Sequence, residues 1–203
     1  MATTFPRVIK PQRVTYPVFP GGLASIGHSG KVNTRTTLQV GRVWEEFFAF
    51  KVDENGHQFL AEIMNFYNRQ MSLDVGHQMF TTTLGAGGGT PLVAGASQTG
   101  ASIATDGWPA TTLVLKAGDL VTFATGATVV YDITADVTSD GAGLATLPVS
   151  PNVFAGGSPG NNDAIAITAA VTFLAKILEQ PRIPPAKADE WINGLRLAFR
   201  ETP

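Results

Sequence analysis

Between residues 42 and 80 the spacing of apolar side chains changes period twice, and each change marks an element. Trp44, Phe48, Phe50 and Val52 alternate on one face of an expected strand, with Glu46 the exception among them. Glu45 and Lys51 fall on the other face, beside Phe47 and Ala49. The run 53–56 breaks the alternation, and Asp53 or Asn55 can cap a helix there by accepting a first-turn amide. Phe59, Ile63, Phe66 and Tyr67 then sit three or four apart, with Leu60 and Met64 widening the stripe, which predicts a helix over 57–69. Alternation resumes at Leu73, Val75, His77 and Met79. Strand, helix, strand is the reading, and the helix needs a sheet to cover its apolar face.

Composition narrows what surrounds this unit. Of 203 residues, 15% are charged, against about 25% in ordinary soluble domains. With 22 Gly and 13 Pro, the chain is suited to short strands, many turns and surface buried against other chains. A net charge of -2 gives nucleic-acid binding no general electrostatic support. There is no cysteine, so disulfides and thiolate chemistry are excluded. The first ten residues lack the apolar core of a signal peptide, and no apolar run approaches the roughly 20 residues that cross a bilayer.

Prolines at 6, 11, 17 and 20 argue against helix in the first 41 residues. Extended pieces are expected at 13–18 and 31–40, with 21–31 as a loop or arm. At residue 85 the character changes. Segment 85–168 has one basic residue, Lys116, and six acids, a net of -5; the rest has 13 basic and 10 acidic residues, a net of +3. Strands are expected at 112–115, 120–124, 129–135, 145–149 and 164–168, with a turn at Asp140-Gly141. After 169 the earlier alternation returns at Val171, Phe173, Ala175 and Ile177. The chain then closes on Trp191, Leu195, Leu197 and Phe199, set against Ile192, Arg196 and Arg200. The expected fold is mainly β with one helix: an outer β-barrel or sandwich from 1–84 plus 169–203, and an inserted small all-β domain at 85–168.

These residues carry a resemblance. The order of Trp-bearing strand, short helix, strand, insert and closing strand, with the runs 41–45, 113–119, 133–140 and 195–201, resembles tailed-bacteriophage distal tail proteins and related tail-tip components. The likeness spans roughly 14–201. It implies a tail-hub-like outer domain, six copies in a ring that continues the tail tube, and an insert facing outward. A galectin-like sandwich is common at that place, and this insert is short for one. The implied partners are further copies in a homo-hexamer, the tail tube protein, the tail hub or tip protein and the tape measure protein. DNA would pass the lumen without specific binding. The implied location is the virion's tail tip, and no cofactor or catalytic activity is implied.

Sites with chemistry of their own are few. His28, His57 and His77 have no second His or Cys at metal-ligand spacing. Gly85 and Gly87 to Gly89 are followed by no Gly-Lys-Ser/Thr, so a flexible hinge is expected there rather than a phosphate loop. Asp136 and Asp140 look like half a calcium loop, but no Glu occurs between 85 and 168 to complete it. Glu45 and Glu46 point to opposite faces of a strand and cannot act as a facing carboxylate pair. Serines 25, 29, 97, 102 and 139 lack a Gly-x-Ser-x-Gly elbow. Trp108, beside Pro109, is the one candidate ligand contact: an indole that stacks on a sugar, or else anchors a packed loop. Three functions are therefore in play. They are a structural tail-ring protein, a carbohydrate- or host-surface-binding β module, and a hydrolase, for which no nucleophile presents itself.

Overall fold

The computed structural model describes residues 3–5, 9–15, 17, 23–26, 32–35, 41–77, 79–125, 129–185, 187 and 189–202. The chain is mainly β. In order it forms β1 (Thr3–Thr4), β2 (Arg13–Val14), β3 (Leu23–Ile26), β4 (Val32–Arg35), β5 (Val43–Lys51), α1 (Glu54–Asn68) and β6 (Leu73–Gly76). Then come β7 (Leu92–Val93), β8 (Gly100–Asp106), β9 (Leu113–Leu115), β10 (Leu120–Phe123), β11 (Tyr131–Ile133), β12 (Val137–Thr138), β13 (Ala145–Val153) and β14 (Ile165–Ile167). β15 (Thr172–Ile177) and β16 (Trp191–Glu201) end the series. Two compact units result: Met1–Asp74 with Leu174–Pro203, and Val75–Phe173. The sequence boundaries at 84/85 and 168/169 differ from these, because 75–84 and 169–173 cluster with the second unit.

In the first unit, both ends of the chain share one sheet, ordered β1-β6-β15-β16-β5-β2. β16 runs antiparallel to β5, from Trp191 opposite Lys51 to Arg200 opposite Val43. The inner face of β5 carries Trp44, Glu46, Phe48 and Phe50, all buried, as the alternation requires. Phe5 packs edge-on against Phe59 and Phe199, and Trp44 stacks on Phe199 at 5.3 Å. Phe59 also meets Phe48 and Phe50, so α1 lies on this aromatic layer through Phe59, Ile63 and Phe66. Each such ring contributes on the order of 2–3 kcal/mol by burial alone.

Three details depart from the sequence expectation. The helix begins at Glu54 rather than 57, because Asp53 Oδ1 accepts the Gly56 amide at 3.0 Å and starts the first turn early. Gly56 is needed there: a Cβ would lie 2.2 Å from the Lys51 carbonyl oxygen. Trp191 is 63% exposed, whereas Ile192 is buried with Leu195, Leu197 and Phe199. The cause is a bulge: Asn193 faces Ala49 and Leu195 faces Phe48, with Gly194 at φ +84° as the extra residue that reverses the alternation. Finally, part of the expected arm at 21–31 is strand, since β3 pairs antiparallel with β4 from Leu23–Arg35 to Ile26–Val32. His28 and the expected extension over 36–40 lie outside the described residues.

The second unit holds a six-stranded sheet, β14-β10-β11-β13-β8-β7, and a separate β9–β12 pair. Its core gathers Val93, Ile103, Val114, Leu115, Tyr131 and Leu147 among others. The strand expected over 145–149 extends to Val153, and β8 was not anticipated. Asp140 and Gly141 do form a turn, but it joins strands of different sheets rather than a hairpin. Asp140 Oδ1 accepts the Ala142 and Leu144 amides, both at 2.8 Å, and closes that turn on itself. Met79, expected to continue the β6 alternation, is 53% exposed and lies beyond the strand end.

Candidate functional site

Trp108 is 5% exposed and belongs to the core of the second unit. Its Nε1 donates to Thr105 Oγ1 at 2.8 Å, and that hydroxyl donates to the Ala145 carbonyl at 2.8 Å. The chain around it is held as well: the Trp108 amide donates to Gly143 O at 3.2 Å, and Ser139 Oγ donates to Pro109 O. An indole buried on these terms offers no ring face to a sugar. Of the two roles weighed for Trp108, its packing is that of a loop anchor.

The glycine run 85–89 is not a free hinge. Ala86 and Gly87 donate to Leu113 O and Val114 O, both at 2.9 Å, so the segment lies against β9. Gly85 and Gly89 are there for close approach: a Cβ would come within 2.3 Å of Val114 O and 2.2 Å of Gly107 O respectively.

Two buried carboxylates escaped sequence reasoning. Asp119 is fully buried and accepts four hydrogen bonds. Its Oδ1 receives Leu84 N at 2.7 Å and Thr168 Oγ1 at 3.0 Å; its Oδ2 receives Lys116 N at 2.8 Å and Gly85 N at 3.1 Å. One side chain thus ties together the two stretches that flank the inserted strands, near 84 and near 168. Asp163 plays a similar part for Thr125 and Gly160: Oδ2 receives Gly160 N at 2.7 Å and both the amide and hydroxyl of Thr125. Donors occupy both oxygens of Asp119 and crowd Oδ2 of Asp163, which makes both carboxylates staples of the loops around them.

In the first unit Arg42, Glu46 and Glu201 are all buried. Arg42 N donates to Glu201 Oε2 at 3.1 Å, Glu201 N donates to Arg42 O at 2.8 Å, and Trp44 Nε1 donates to Glu46 Oε1 at 3.3 Å. Glu45 instead lies on the opposite face and pairs with Arg196 at 2.6 Å, as its parity demands. Among the described residues, no group of three His, Asp or Glu is placed to hold a metal ion. His77 is buried beside Phe80 and Phe173, and its Nδ1 accepts the Met79 amide at 3.2 Å. No helix among the described residues is long and apolar enough to cross a membrane.

Among the described residues of the first unit is an open groove of about 490 Å³, lined by Gln70, Lys176, Leu178, Arg200, Glu201 and Thr202 among others. Lys176 and Arg200 are directly opposite each other on β15 and β16. Compared with known proteins, the chain matches no family model and no curated sequence.

Proposed function

We propose that the protein is a structural virion protein, one subunit of a six-membered ring at the distal end of a phage tail, joining the tail tube to the tip or baseplate hub. The observation that carries this reading is the β5–β16 ladder. It builds one sheet from both ends of a chain whose middle has its own core. That is the arrangement expected from the tail-protein resemblance of the sequence. The sheet's outer strands β1 and β2 are two residues each, and β2 pairs with Glu46 and Phe47 of the nine-residue β5. Among the described residues these edge strands are short, and short edge strands can take strands or arms from neighbours. A heterologous contact of that type closes into a ring when its rotation divides a full turn.

In this reading the neighbours are further copies, the tail tube protein, the hub or tip protein and the tape measure protein. DNA crosses the lumen without specific contacts, the site of action is the tail tip, and the role is not catalytic. Burial of Trp108 removes the residue on which the glycan-binding alternative rested. Electron microscopy and native mass spectrometry of the purified chain test the proposal: closed rings, six-fold in the main, are expected. A chain that stays monomeric at every concentration, with and without the tail tube protein, refutes it.

A further inference from the structure

We propose that the groove at Lys176 and Arg200 receives the acidic turn, residues 136–144, of a second copy of this chain. The inference rests on the ring reading above and names the two surfaces through which neighbouring copies meet.

Like charges directly opposite in an antiparallel pair repel and weaken it. Lys176 and Arg200 are such a pair, and among the described residues neither has a carboxylate within ion-pair distance. Two other cations on the same face have carboxylate partners within the chain: Arg196 has Glu45 at 2.6 Å and Glu179 at 3.7 Å, and Lys51 has Asp189 at 2.9 Å; Arg13 lies over the Phe47 ring at 4.2 Å. Lys176 and Arg200 border the groove, whose lining also holds Leu178, 48% exposed, and the buried Glu201, leaving one cation in excess. The site therefore asks for a ligand with carboxylates and one apolar contact.

A segment with that chemistry exists in the second unit. Asp136 and Asp140 are exposed, and neither has a Lys or Arg within ion-pair distance among the described residues. Leu144 in the same turn is 48% exposed, and a Cβ at Gly141 would meet nothing within 4 Å, so the tip of the turn is open while its base is held against residues 108–111. The turn is also stiff, because Asp140 bonds the Ala142 and Leu144 amides, and a preformed loop loses little freedom on docking. The wider charge partition agrees: residues 75–173 hold one basic and six acidic residues, while the rest of the chain is net positive. Positive groove on negative turn is a heterologous pairing, the kind that propagates from copy to copy.

The test uses the full chain and two double variants, followed by sedimentation velocity over a range of concentration and salt. One variant carries Lys176→Glu and Arg200→Glu; the other carries Asp136→Asn and Leu144→Ser. All four positions are at least partly solvent-facing, and an unfolding midpoint close to wild type certifies each fold. Each variant alone is expected to self-associate at least tenfold more weakly than wild type. Mixed together, they retain one intact groove and one intact turn, so heterodimers are expected and nothing larger. Wild-type assembly that survives both variants overturns this surface and leaves the ring reading standing. Wild type that remains monomeric overturns both.

Discussion

Replacing Asp119 with Ala removes the acceptor for three backbone amides and one hydroxyl, at a position with no exposed surface. A buried donor left without a partner costs about 1–3 kcal/mol, and hydrogen bonds to a charged acceptor sit at the upper end. Water entering the vacated space recovers part of that loss, so the net cost is about 4 kcal/mol, within the range for broken buried networks. For a unit of this size each kcal/mol moves the midpoint by roughly 4–8 °C, which makes the change large. Asp119→Asn is the informative companion. It keeps the volume but turns an NH2 toward amides that need an acceptor, so it is expected to recover less than half of the loss. Urea unfolding followed by hydrogen exchange gives the readout, with the amides of Leu84, Gly85 and Lys116 losing protection first. If Asp119→Ala unfolds within about 1 kcal/mol of wild type, the bonds are not holding the flanks and the reasoning fails.

Two further outcomes can be checked on the first unit. Gly194→Val places a branched side chain at φ +84° and is expected to cost about 1–2 kcal/mol in urea unfolding; a neutral result means the bulge relaxes. The Asp189 hydrogen bond, and then its charge, hold the Lys51 ammonium above its ordinary range. A raised lysine stabilises the fold fully below its unfolded pKa of about 10.4 and loses that contribution as pH climbs through the folded value. The midpoint difference between wild type and Lys51→Met should therefore hold steady from neutral pH, vanish in strong alkali and shrink in high salt. A difference that persists in alkali contradicts the pairing.

Elements with heavy, regular side chains were legible in the sequence. Trp44, Phe48 and Phe50 leave no doubt about β5, and Phe59, Ile63 and Phe66 do the same for α1, because large apolar groups must share a face to be buried. β8 was invisible for the opposite reason. Its sequence is Gly-Ala-Ser-Ile-Ala-Thr-Asp, whose small residues have little strand preference, and its place is set by pairing with β13. Trp191 was assigned the wrong side because a periodic reading carries no sign of one inserted residue, although the Gly at 194 marked where it could occur. The staples were illegible on different grounds. An aspartate after Lys116-Ala117-Gly118 reads as a solvent-facing turn, and its partners at 84 and 168 are brought near only by the finished fold. Trp108 could be read either way, and the hydroxyl of Thr105, three residues upstream, was the available hint that its indole nitrogen is satisfied indoors.

The β5–β16 ladder also sets a timetable. β16 begins about 140 residues after β5 ends. At roughly 5–20 residues per second, translation leaves β5 waiting roughly seven to thirty seconds for that neighbour. In that interval Phe48 and Phe50 have local partners, Phe59 of the helix that follows at once and, for Phe48, Phe5 made earlier, whereas Trp44 waits for Phe199. Prompt collapse of the intervening strands draws the two termini together and shortens the excursion the late strand must make. Vectorial folding of this chain is thus a relay, in which α1 shields part of the nascent strand until its distant mate emerges.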